Sequence, residues 1–181
     1  WFSSILVSEA AHVNVDEGGA PERVFGIKVV PLHKRGNKES KDGVDTGRNG
    51  EDAQGDGFWI DTSKITASQV LEHTYRFGDV HHSQPRVVSI TQATEFGTVY
   101  DKEEILAISR VCKEHGLLLH MDGARICNAA ASQGFGLKEA TRDLGVDLMS
   151  FGGTKNGLLL GEAVLFFNDA LGSNFRHIQK Q

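Results

Sequence analysis

Apolar residues in this chain fall in short unbroken runs rather than in strict alternation with polar ones. Val87-Val88-Ser89-Ile90, just after Pro85, is one such run; Leu117 to Met121, Asp147 to Phe151 and Ala163 to Phe167 are three more. Each has the length and texture of a strand covered on both faces. Between the runs the period becomes helical. Ile105, Ile108 and Cys112 recur at that spacing behind Asp101-Lys102-Glu103-Glu104, which has the form of an N-cap with an acidic first turn. Gly116 then stands where a glycine would stop the helix. Thr66-Ala67-Ser68-Gln69 has the form of a capping box and predicts a helix through Val70 and Leu71 to about Arg76. A further helix is expected from about Leu137 to Leu144. Strands separated by helices predict an α/β fold, a mostly parallel sheet flanked by helices. In such sheets ligands gather beyond the carboxyl ends of the strands, so the residues closing each strand are the first candidates for function.

Composition changes the picture in two places. With 181 residues, 39% hydrophobic and 24% charged, the chain is long enough for one domain with a sizeable core, taken as residues 1–181. From Lys34 to Gly57 almost nothing could be buried, which predicts a flexible surface insertion. The ends point the other way, toward incompleteness. The chain opens on Trp1-Phe2 without an initiator Met or the pattern of a signal peptide. It closes on Asn174 to Gln181, which resembles a helix cut partway. A fragment of a longer protein is the expectation. A net charge of -5 gives no basic stripe for nucleic acid. No apolar run approaches the ~20 residues that a membrane span requires. The two cysteines, Cys112 and Cys127, form neither a CxxC pair nor a disulfide framework, which suits a reducing, cytoplasmic compartment. No metal-ligand spacing is evident.

Two strand ends carry chemistry. Leu117 to Met121 runs into Asp122-Gly123-Ala124-Arg125, and Asp147 to Phe151 runs into Gly152-Gly153-Thr154-Lys155-Asn156-Gly157. A carboxylate at one strand tip and a lysine among glycines at another would project into one crevice. A structural ion pair is the plainer reading of such an Asp and Lys. The glycines argue against it, because close backbone approach is not something an apolar core needs. Pyridoxal phosphate (PLP) chemistry asks for this set: an amine for the cofactor aldehyde, and a carboxylate to keep the pyridine nitrogen protonated so that the ring can act as an electron sink.

The motifs resemble a known family. His120-Met121-Asp122-Gly123-Ala124-Arg125 is similar to the His-hydrophobic-Asp-Gly-Ala-Arg signature of low-specificity threonine aldolases, β-eliminating-lyase-like members of the fold-type I PLP enzymes. Ser8-Glu9-Ala10-Ala11-His12 with Asp16 to Ala20, Gln84-Pro85-Arg86, Thr91 to Tyr100 and the lysine loop extend the resemblance over most of the chain outside Lys34–Gly57. It implies the large PLP-binding domain of that fold. Asp122 would hold the ring nitrogen, Lys155 the aldehyde carbon, His12 would stack on the ring, and Thr154 would help hold the phosphate. Arg125 would grip the substrate α-carboxylate. His81, or His82 beside it, would stand near the substrate β-hydroxyl and take its proton. The implied reaction is retro-aldol cleavage of a β-hydroxy amino acid such as L-threonine or L-allo-threonine to glycine and an aldehyde, by a homodimer or homotetramer. The loop Gly-Gly-Thr-Lys-Asn-Gly departs from the family's common Ser-Lys-Gly-Leu form, which bears on the phosphate contacts. Another PLP lyase or aminotransferase, or a truncated non-catalytic chain, are the competing readings.

Overall fold

The structure, a computed structural model, describes residues 2–33 and 63–180; the Lys34–Gly57 segment expected to be an insertion lies outside them. Among the described residues, six strands form one sheet: β1 Ser3–Ser8, β2 Lys28–Leu32, β3 Gln84–Thr91, β4 Leu118–Asp122, β5 Leu148–Gly152 and β6 Glu162–Phe166. Their order is β2-β1-β3-β4-β5-β6, parallel throughout except that β6 runs antiparallel to β5. The connecting helices are α1 His12–Val15, α2 Ala20–Phe25, α3 Ala67–Glu72, α4 Lys102–His115, α5 Ile126–Gln133, α6 Asp169–Gly172 and α7 Phe175–Lys180.

Period-two geometry divides the central strands between two faces. Leu6, Val88, Ile90, Leu119, Met121 and Met149 point to one face, where Val70 of α3, Ile105, Ile108 and Cys112 of α4 and Ile126 of α5 join them in the main core. Each such side chain contributes about 1.5–3 kcal/mol by leaving water. Burial also pushes the Cys112 thiol up to about 12, so it packs as a small apolar group. On the other face, β1, α1 and β2 share only a small cluster of Val7, Ala11 and Val29. That face carries polar side chains nearer the middle of the sheet.

The caps form as the sequence predicts. Thr66 and Asp101 each accept from the backbone three residues on, and Gln69 and Glu104 answer with reciprocal bonds. Gly116 ends α4 at φ 67°. Two expected helices differ. The one opening at Thr66 stops at Glu72 rather than near Arg76, because side chains take over the backbone: the Thr74 hydroxyl donates to Leu71 O at 2.8 Å, and Gln84 Nε2 reaches the carbonyls of Arg76, Asp79 and His82. From Leu137 to Leu144 there are turns and one 3₁₀ turn, Arg142–Leu144. Thr141 turns its hydroxyl onto Leu137 O at 2.7 Å with φ -133° and ψ -87°, outside the helical region.

β3 is longer than its apolar run because it takes in Gln84 to Arg86. The price is a bulge: Ser4 pairs with Pro85 and Ile5 with Val87, leaving Arg86 exposed and out of register. Proline has no N–H to give to a ladder, so it belongs at such an irregularity.

Candidate active site

From β1 the chain goes to β2 on one side, then crosses to β3 on the other. The loops after β1 and β3 therefore part, and the opening lies at the carboxyl edge of the sheet. Its floor is a polar row set by the strand register: Ser89 pairs with His120, Thr91 with Asp122, and Asp122 with Ser150. A crevice of about 340 Å³ lies over this row, walled by Ile5, His12, Val13 and Phe25. That volume falls in the ordinary range for small-molecule sites, about 300–1,000 Å³.

Asp122 closes β4 and its carboxylate lines the crevice. Oδ1 accepts from Ala124 N at 2.9 Å, the one hydrogen bond it makes among the described residues, which leaves the second oxygen for a ligand. Two residues earlier on the same face, His120 Nδ1 meets Ser89 Oγ at 2.8 Å. Burial pushes the His120 imidazole below its usual range, while the charge of Asp122 opposes the shift.

His12 opens α1 and is tied across the switch point by its backbone, which donates to Glu95 Oε1 at 3.2 Å. Thr91 Oγ1 donates to the same oxygen at 3.0 Å. The other carboxylate oxygen of Glu95 is buried without a partner. The His12 ring lies between Asp16, at Nδ1, and Arg125, whose Nη2 is 3.3 Å from Nε2. A guanidinium only donates and a carboxylate only accepts, so these neighbours select the Nδ1–H tautomer. Arg125 also donates to Ala93 O at 3.4 Å. Glu95 was not singled out from the sequence. Its signal would have been its place just past the β3 strand, the same kind of place that drew attention to Asp122.

Lys155 follows β5 in a 3₁₀ turn, Thr154–Asn156. Thr154 and Lys155 are exposed and stand beyond the crevice lining. What holds their turn against the Asp122 turn is Asn156, which sequence reasoning also passed over. Its Nδ2 donates to Gly152 O at 2.7 Å and to Gly123 O and Ala124 O at 3.1 Å each, and its Oδ1 accepts from Cys127 N at 3.0 Å. Gly123 N adds a bond to Ser150 O at 2.7 Å. The approach is close enough to exclude side chains. A Cβ on Gly123 would stand 3.0 Å from Ser150 O and 2.6 Å from Met149 Sδ, and one on Gly153 only 2.6 Å from Gly161 O. Asp122, His12, Arg125 and the lysine turn are thus gathered at one edge.

His81 is not gathered with them. It precedes β3, and with His82 and Ser83 it borders a hollow alongside Phe2, Ser3 and Lys28, at the amino ends of the strands. β3 is eight residues long, so its two ends stand roughly 23 Å apart. Asp79 fixes this loop, Oδ1 accepting from His81 N at 2.9 Å and Oδ2 pairing with Arg76; both contacts hold the Asp79 carboxyl below its usual range. Within one chain, His81 does not reach the crevice.

A parallel sheet with an antiparallel edge strand, an acid at one central strand tip and a lysine turn at the next define the class: the large domain of fold-type I PLP enzymes. The chain belongs to the beta-eliminating lyase family, whose model matches residues 2–181. It is 42% identical over 181 residues to a low-specificity L-threonine aldolase of a Pseudomonas species and 41% identical over 180 residues to that of Pseudomonas aeruginosa. Each alignment covers 99% of this chain and 45% of the relative, so the chain spans about half the length of the curated relatives it matches. Among solved structures, a threonine aldolase of Leishmania major superposes with a TM-score of 0.75 at 31% identity, covering 99% of this chain and 45% of that one. A PLP-bound C–S lyase of Staphylococcus hominis, at TM-score 0.56 and 11% identity over 97% of this chain and 37% of its own, shares the fold alone.

Proposed function

We propose that the protein to which this chain belongs is a PLP-dependent aldehyde-lyase that cleaves L-threonine or L-allo-threonine to glycine and acetaldehyde. The observation that carries the reading is the stapling of the Lys155 turn to the Asp122 turn at neighbouring strand tips, beside a crevice of cofactor size. The threonine aldolase relatives, similar along the whole of this chain, support the choice of reaction. The residues fit the cofactor: the site offers a carboxylate with a free oxygen, an amine on an exposed turn and a flat ring on the facing wall.

Asp122 would hold a proton at the pyridine nitrogen, and Lys155 would hold the aldehyde carbon. His12 would lie against the ring with its plane set by Asp16 and Arg125. Arg125, whose guanidinium reaches the His12 ring, would take the substrate α-carboxylate in its planar fork. Thr154 would contribute its hydroxyl to the phosphate. When bound, PLP supplies an electron sink for the charge left at Cα after the Cα–Cβ bond breaks. The protein's part is to hold that bond in the productive orientation and to place Asp122 where charge develops. No helix among the described residues is long and apolar enough to cross a membrane. A cytoplasmic homodimer or homotetramer completes the proposal.

The decisive assay uses the intact protein. Aldehyde and glycine released from threonine in equal amounts are the expected outcome. Pyruvate or another keto acid in their place would move the chain to a different reaction on the same scaffold.

A further inference from the structure

Asn156 is a positioning residue, we infer, that sets the distance between the cofactor's two anchors; the inference rests on the PLP reading above. Its side chain meets one backbone carbonyl of its own turn, Gly152 O, and two of the Asp122 turn, Gly123 O and Ala124 O, while accepting from Cys127 at the start of α5. Both ends of the amide are committed to backbone. Lys155 is the next residue, and Asp122 immediately precedes Gly123. Any change in the reach of this amide therefore moves the amine relative to the acid. No other described side chain bonds to both turns.

An amide is the only group of this size that suits the site. Three carbonyl oxygens face Nδ2, so a carboxylate there would be repelled, and an alanine would leave the three oxygens and the Cys127 N–H without these bonds. The test is made on the intact, PLP-loaded protein, read by the visible absorbance of the lysine-linked cofactor. Asn156→Asp is expected to release the cofactor at least tenfold faster on dilution. It is also expected to move the pH midpoint of that absorbance upward, since a new negative charge on the residue next to Lys155 in the chain favours the protonated form of its nitrogen. Asn156→Ala is expected to show the faster release without the upward shift. Release at the wild-type rate from Asn156→Asp would overturn the inference, and so would an unmoved midpoint, which would mark Asn156 as a fold residue only. If Asn156→Asp does not fold, Asn156→Ala decides by its release rate, wild-type release overturning the inference. Lys155→Ala, run in parallel, separates the two levels. If its visible absorbance persists, the lysine assignment has failed, whatever Asn156 does.

Discussion

Lys155 and Asp122 differ in what their loss should do. Replacing Lys155 by alanine removes the amine, so aldehyde release should fall to background. Asp122→Asn keeps the shape but not the charge, and kcat should fall by about 10²–10³-fold, the scale of losing one preorganised electrostatic partner; steady-state kinetics on the intact protein check both. His81→Ala is expected to leave kcat within about a factor of three of wild type, because the residue sits at the amino edge and its backbone N–H, which alanine keeps, is what Asp79 holds. A hundredfold drop with cofactor binding intact would mean instead that His81 enters the site of a second copy. The positions of Asp122 and Lys155 were legible because one closes β4 and the other stands in the turn after β5. The place of His81 was legible too, from strand direction: it precedes Gln84, and in a parallel sheet the loops before strands and those after them collect at opposite edges.

Elements add a prediction in pH. The His120 imidazole is held below its usual range by burial in the floor of the crevice. Near pH 6 the unfolded chain would bind this proton more readily than the folded one, so stability rises with pH in that window and falls as pH drops below about 6.5. Denaturation midpoints measured across this range should show the fall, and His120→Asn should flatten it. The capping box of α4 is a second check: Asp101→Ala should cost about 1 kcal/mol, read by chemical denaturation. Cap and period signals are local, and that is why α4 was readable from Asp101 to Gly116. α1 and α2, four and six residues long, lack the length to show a period. The stretch from Leu137 to Leu144 has helical composition, but a single threonine hydroxyl and a Lys138–Asp143 pair redirect it.

The whole molecule is asymmetric. One face of the sheet is closed by α3, α4 and α5, while the far edge, beyond the crevice, leaves Leu158, Leu159 and Leu160 at 53%, 99% and 85% exposure. Among the described residues nothing pairs with the outer edge of β6. An open edge beside an apolar run is a surface for self-association. The 181-residue chain, expressed alone, is expected to self-associate at micromolar concentration. The double substitution Leu159→Lys and Leu160→Lys should shift it toward monomer in sedimentation or light scattering.

By itself the sequence determined four of the six strand runs among the described residues, the caps of α3 and α4, the α/β class, and the acid and lysine at two strand tips. These depend on neighbours within a few residues, where periodicity, capping and turn chemistry act. Only the tertiary structure decided that β6 turns antiparallel, that Asn156 joins two turns 33 residues apart, and that Glu95 ties the β1 and β3 loops together. Those outcomes come from hydrogen bonds and strand directions set by packing between distant segments, and no local pattern encodes them.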